Sequence, residues 1–211
     1  MQTSSPFAFI GLRMKRPVLR RRPGEVVHPA DIVPADPPPG ARVYLRVLAR
    51  EDRTEFLALA RESHRLHRPW TYPPERADQF DELYSRSRRE DFLCLLACRI
   101  DDHAIAGVFT ISQIVRGAFQ SAYLGYYAHE RHSGQGLMRE ALEQVLDHSF
   151  GALGLHRVEA NIQPGNVRSI ALARGAGFRL EGFSPRYLLI GGQWRDHERY
   201  AITTEDLAQD G

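Results

Sequence analysis

The sequence predicts a single mixed α/β domain, a central β-sheet flanked by helices, behind a proline- and arginine-rich N-terminal arm. Three observations carry this. Period-two apolar segments and amphipathic helical segments follow one another in the order β α α β β β α β α β β, which is a mixed layer and not a regular parallel βαβ array. A chain of 211 residues suffices for one sizeable core. Prolines 6, 17, 23, 29, 34, 37, 38 and 39 all precede the point, at Arg42, where the periodicity sharpens. Residues 1–40 are therefore expected to be an extended, partly disordered arm, 41–207 the folded domain, and 208–211 a tail.

The elements follow in chain order. "RVYLRVL" alternates and reads as a strand. "REDRTEFLALARESHRLH" places acids at its start and Phe56, Leu57, Ala60 and Leu66 on one face, predicting one helix that "HRPW" breaks. Pro73-Pro74 opens a second helix through "ERADQFDELYSRSRRE". "DFLCLLACRI" and "HAIAGVFTISQIVR" form a hairpin about Asp101-Asp102, and "GAFQSAYLGYYAH" is a third strand of this group. "GLMREALEQVLDHSFGAL" carries Leu137, Ala141, Leu142, Val145, Leu146 and Phe150 on one stripe of a helix. "HRVEANIQ" is a strand and "GNVRSIALARGAG" a helix ended by glycine. The strands "RYLLIGG" and "WRDHERYAITT" meet at Gly191-Gly192, a hairpin signal.

Composition excludes several classes. No apolar run reaches the roughly 18 residues of a membrane helix, and the basic cluster near the N-terminus follows the apolar patch instead of preceding it, the reverse of a secretory signal. A cytoplasmic protein is expected. Cys94 and Cys98 share one parity of a strand and read as small buried hydrophobes. No metal site is implied, because a lone Cys-x-x-x-Cys pair lacks further ligands. Net charge is +2, but residues 13–22, "RMKRPVLRRR", hold six basic residues and no acid. That run is a candidate contact for the ribosome or RNA, or a solvated tail.

The chemistry concentrates in "RHSGQG", Arg131 to Gly136. A strand enters this turn and an amphipathic helix leaves it. A helix N-terminus offers unpaired N–H groups and partial positive charge. Glycines at 134 and 136 let an anion approach those amides, and Arg131 adds a cation. The turn is not a Walker loop, and it is not a Rossmann loop because position 139 is arginine.

Arg-x-x-Gly-x-Gly between a strand and an amphipathic helix resembles the acetyl-CoA loop of the GNAT acetyltransferases. About thirty residues on, "RVEANIQPGNVRSIALARGAGF" is similar to that family's next block, with Asn166, Ser169, Gly177 and Phe178 at its marked positions. "HRPW", "SQIVRGAFQSAYLGYY" and the C-terminal "YLLIGGQWRDHERYAITTEDL" narrow the resemblance to RimJ/RimL-type ribosomal-protein N-terminal acetyltransferases, the RimJ branch above all. It spans about residues 42–207 and leaves the arm unexplained.

The resemblance implies acetyl transfer from acetyl-CoA to an amine by direct attack in a ternary complex, with no metal. Tyr126, Tyr127 and Ala128 would pair with the pantetheine arm, a backbone amide of their strand stabilising the oxyanion. Arg131, Gly134, Gln135, Gly136 and Leu137 would hold the pyrophosphate. Asn166 would orient the cofactor, or serve only as a helix cap. Ser169 would protonate the leaving thiolate, or be merely a polar residue on a helix face; Leu172 stands where many members carry a tyrosine acid. Glu159 is the candidate base, or a salt-bridged strand glutamate. His67, Trp70, Tyr187, Trp194 and Arg195 would wall the acceptor site, although Trp70 also suits a core. The acceptor the resemblance implies is the N-terminus of a ribosomal protein; an α-amine suits, since with pKa near 7.7–8.0 it is partly neutral at pH 7 whereas lysine, near 10.4, needs far more help. The alternatives are a small-molecule amine (polyamine, amino acid or antibiotic) as acceptor, and a ribosome-assembly or RNA-binding factor using the basic arm.

Overall fold

In the computed structural model, which describes residues 28–32 and 34–208, seven strands form one sheet in the order β1-β2-β3-β4-β5-β7-β6. The strands are β1 (Val43–Val47), β2 (Phe92–Arg99), β3 (Ile105–Val115), β4 (Ser121–Ala128), β5 (Arg157–Ile162), β6 (Arg179–Ile190) and β7 (Gln193–Thr203). All neighbours are antiparallel except β4 and β5. The helices are α1 (Arg53–Glu62), α2 (His64–His67), α3 (Ala77–Arg86), α4 (Leu137–Asp147), α5 (Val167–Gly175) and α6 (Thr204–Ala208).

Alternation along the strands builds two apolar layers. Leu93, Leu95, Phe109, Ile111, Leu124, Val158 and Ile202 point to one face, where Leu137, Ala141, Leu142, Val145 and Leu146 of α4 cover them. Phe92, Cys94, Leu96, Cys98 and Val108 point to the other, under Phe56, Leu57 and Leu59 of α1 and Phe80 of α3. Both cysteines are free and buried there, and burial pushes the Cys94 thiol up to about 12. Burying one such Leu side chain contributes about 1.5–3 kcal/mol. The second layer reaches β4 only at Tyr127, so the faces of Glu159, Asn161 and Arg199 lie beyond its cover.

Several boundaries depart from the sequence reading. The first helix is two: α1 stops at Ser63, whose hydroxyl accepts from the Glu130 amide at 2.9 Å, and the reoriented turn of α2 brings His67 to β4. The second begins at Ala77, not at the prolines. A residue before proline is kept out of the helical region, and the first N–H groups are met by Gln79 Oε1, which accepts from Glu75 and Arg76 at 3.0 and 3.2 Å. α4 ends at Asp147 and passes into a single π-type turn over His148–Ala152. β6 starts at Arg179, because an irregularity between Ser184 and Leu188 lets one strand continue through Pro185. α6 is an additional short helix.

The basic run 13–22 lies outside the described residues. Pro29–Asp31 form a 3-10 turn against β2, with Pro29 and Ala30 buried. Among the described residues no helix is long and apolar enough to cross a membrane.

Candidate active site

The site originates where β4 and β5 part. Their pairing consists of Ser121–Arg157, Ala122–Val158 and Tyr123–Glu159, and then stops. Beyond that point β4 continues along β3 as far as Ala128, and β5 continues along β7 as far as Ile162. The β5-facing edge of residues 124–128 is thereby left without a strand partner. A cleft of about 940 Å3 occupies the opening, lined by β4, the loop after it, α4, the start of α5 and the α2–α3 connection.

The loop follows from its local chemistry. Glu130–His132 make one 3-10 turn, and Gly134 and Gly136 then take φ of +76° and +80°, the left-handed region that favours glycine. A Cβ at Gly134 would meet nothing within 4 Å, so its constraint is the backbone angle alone. Gly136 is the N-cap of α4 and has no side chain to occupy the first amides. Arg42, just before β1, braces the loop: its Nη1 donates to the Gln135 carbonyl at 3.0 Å, and its Nε donates to Glu140 Oε2 at 3.0 Å. Glu140 Oε1 also accepts from the Val43 amide at 3.1 Å, so the first turn of α4 is pinned to the sheet.

Of the residues singled out in the sequence, the cleft brings together Tyr126, Tyr127, Ala128, Gly134, Gly136, Leu137, Asn166, Ser169, His67 and Trp70. Asn166 caps α5, its Oδ1 accepting from the Ser169 amide at 3.3 Å. His67 is buried and its Nε2 sits 2.8 Å from the Ala128 carbonyl, so that nitrogen carries the proton. Burial lowers the His67 pKa and keeps the ring neutral. Tyr127 packs edge-on against it at 5.2 Å between ring centroids. Trp70 lies against Gly165, where a Cβ would come within 2.9 Å of the indole, and its carbonyl accepts from Gln163 Nε2 at 3.0 Å.

The other predicted residues fall elsewhere. Arg131 and Gln135 are absent from the lining: Arg131 forms an exposed ion pair with Glu62 at 2.8 Å, and Gln135 Nε2 turns back to the Arg131 carbonyl at 3.3 Å. Glu159 points to the sheet face away from α5, where Arg157 Nε donates to it at 2.9 Å, and it does not line the cleft. Tyr187 lies beside His197, with rings 6.1 Å apart. Trp194 and Arg195 line a smaller adjoining cavity of about 280 Å3 with Trp70, Gln163, Gly165 and Asp196. Trp70 and Gly165 border both cavities.

Sequence reasoning missed the cations that do face the cleft, namely Arg65, Arg68, Arg139 and Arg168. Arg139 and Arg168 stand on the first turns of α4 and α5, and a basic residue directly after each helix start was the available signal. The described lining contains no carboxylate. Helix-terminal amides, glycines without side chains, four guanidinium groups and an unpaired strand edge together suit a long ligand with a polyanionic head and an amide-bearing arm.

Comparison with known proteins agrees with this chemistry. The model of the acetyltransferase (GNAT) domain matches residues 42–179. A probable N-acetyltransferase of Bacillus subtilis, YjcK, is 33% identical over 181 residues, 81% of this chain and 98% of that protein. The [ribosomal protein uS5]-alanine N-acetyltransferase of Escherichia coli is 44% identical over 106 residues, half of this chain and 55% of that enzyme. Among solved structures, Mycobacterium smegmatis RimJ in complex with CoA-disulfide superposes with a TM-score of 0.72 at 31% identity, covering 80% of this chain and 85% of the other. The splayed strands, the glycine loop and these matches lead to one conclusion: the chain belongs to the GNAT acetyltransferase family and is an acetyl-CoA-dependent N-acetyltransferase.

Proposed function

We propose that the enzyme acetylates the α-amino group of a protein N-terminus, with a ribosomal protein as the acceptor. The observation that carries this reading is the lining of the cleft. It presents four arginines and no carboxylate. A polyamine holds several positive charges and would need acids to receive them; the smaller adjoining cavity offers only Asp196, whose Oδ1 already accepts from the Arg186 amide at 2.7 Å. A lysine acceptor, near pKa 10.4, needs a strong base, whereas an α-amine near 7.7–8.0 supplies its own neutral fraction. The similarity to an enzyme named for the alanine N-terminus of uS5 supports the same class.

In this reading the pyrophosphate rests on the amides of Gly134, Gly136 and Leu137, with Arg139 and Arg168 as its cations. The open edge of β4 pairs with the pantetheine arm and turns a backbone N–H toward the thioester oxygen. The acceptor enters past Trp70, Trp194 and Arg195. A neutral amine attacks, its surplus proton leaves to water, and Ser169 gives a proton to the departing sulfur. Glu159, already engaged by Arg157, serves at most as the far end of a water chain.

Mass spectrometry of acetylated products tests the assignment. The acceptors are peptides with free Ala, Ser or Thr N-termini, lysine peptides with blocked N-termini, and small amines including spermidine. Acetylation confined to free N-termini is expected. Transfer to small amines alone would overturn it.

A further inference from the structure

Inside the cleft the hydroxyl of Tyr126 has no assigned task. Tyr126 leaves β4 on the α5 side, its ring centroid 6.0 Å from that of Phe109. Its hydroxyl bridges the opening and donates to the Ser169 carbonyl at 3.0 Å. Ser169 Oγ in turn donates to the Tyr126 oxygen at 2.9 Å. The Ser169 proton is thus directed at the Tyr126 oxygen and the Tyr126 proton at the Ser169 carbonyl, across the gap between β4 and α5, and both residues line the cleft. Leu172, three residues along the same helix and also on the lining, has no proton to give.

This arrangement does two things to Ser169. A serine hydroxyl rotates among three staggered positions, and the bond to Tyr126 selects one. A serine oxygen that has lost its proton also needs a donor nearby, and the phenol is 2.9 Å away. Burial pushes the Tyr126 phenol up to about 12, with the Ser169 hydroxyl pulling the other way, so the phenol keeps its proton throughout the neutral range.

We propose that Tyr126 is a positioning residue for acetyl transfer, holding Ser169 Oγ in one rotamer at the cleft and resupplying its proton through the hydroxyl pair once that proton has turned to the departing sulfur. The proposal rests on the reading of Ser169 as the proton donor. The amine nitrogen's electron pair forms the C–N bond and the C–S bond breaks, its pair going to sulfur. The Ser169 proton leaves its bond to the Tyr126 oxygen and passes to sulfur; the Tyr126 proton turns from the Ser169 carbonyl to Oγ. Tyr126 recovers a proton from solvent as the acylated nitrogen releases one, leaving one amide and one thiol.

A double-mutant cycle tests this with Tyr126→Phe, Ser169→Ala and the pair, using whichever amine the wild-type enzyme acetylates, so that a wrong acceptor assignment leaves the test intact. Turnover is normalised to the folded fraction by titrating bound acetyl-CoA. Tyr126→Phe keeps the ring and is expected to lower kcat about tenfold, and Ser169→Ala on the order of a hundredfold, with KM for acetyl-CoA held within about twofold. The double variant is expected to be no slower than Ser169→Ala alone. Leu172→Tyr in the Tyr126→Phe background, which returns a phenol to the same helix face, is expected to recover at least about threefold in kcat. Wild-type kcat in Tyr126→Phe, a double variant whose loss is the product of the single losses, or equal losses in kcat and acetyl-CoA binding would each overturn the proposal.

Discussion

The two walls of the cleft are built by opposite means. One wall is a single stretch of chain, from β4 through the glycine loop into α4, and it presents backbone: an unpaired strand edge, helix amides and two residues without side chains. The facing side presents side chains from three distant segments: Trp70 after α2, which borders both cavities, and, around the smaller adjoining cavity, Gln163 after β5 and Trp194 and Arg195 on β7. Binding by backbone demands particular angles, and only particular residues meet them. Binding by side chains demands tertiary placement, and any exposed aromatic could supply it.

The largest expected effect breaks the backbone wall. Gly136→Val places a β-branched residue at φ +80°, with its Cβ 3.3 Å from the Arg42 guanidinium. Strain of about 1–3 kcal/mol adds to lost access to the amides, so affinity for acetyl-CoA is expected to fall roughly a hundredfold or more, measured by calorimetric titration.

Acid should also loosen this wall first. His129, just after β4, is lowered to about 3 by burial first and then by its neighbours His67 and His132, which disfavour a further proton; His148, at the end of α4, is lowered to about 4 by burial. The unfolded chain, with histidines near 6.5, binds these protons before the folded one does, so stability rises with pH across that interval and is lost as pH falls from about 6.5 toward 4. Thermal melts should show Tm dropping over that range. Replacing His148 with Gln should flatten the slope.

The side-chain wall should yield without touching the cofactor. Trp194 is 62% exposed, so Trp194→Ala should leave Tm unchanged while raising KM for the acceptor by about tenfold, as loss of a large aromatic contact does. Arg131 is held in a surface pair with Glu62, and Arg131→Ala should weaken acetyl-CoA by less than about threefold, in keeping with the modest worth of exposed pairs. Arg168→Ala, on the cleft, should cost more than that in the same titration.

The same asymmetry explains what the sequence made legible. The element order was readable because each strand and helix declares its period locally, and the hairpin at Gly191-Gly192 because both glycines take positive φ, +58° and +79°. The glycine loop and Asn166 were readable for the same reason. The direction of the Arg131 side chain was not readable, because adjacency in sequence says nothing of direction: Glu62, 69 residues away, turns it outward. Glu159 lies beside the expected position, but its partner Arg157 and the parity of β5 decide where its carboxylate goes. The break at Ser63 depends on an amide in another segment, Glu130, and has no local signal. The hydroxyl pair of Tyr126 and Ser169 joins residues 43 apart across the splayed strands.

The most direct measurement is calorimetric titration of acetyl-CoA into the wild-type enzyme, Gly136→Val and Trp194→Ala, with acceptor kinetics on the same samples. The expected result is acetyl-CoA affinity lower by roughly a hundredfold or more in Gly136→Val, and for Trp194→Ala a wild-type acetyl-CoA affinity with an impaired acceptor KM. Wild-type affinity in Gly136→Val, or equal loss of acetyl-CoA binding in both variants, would contradict it.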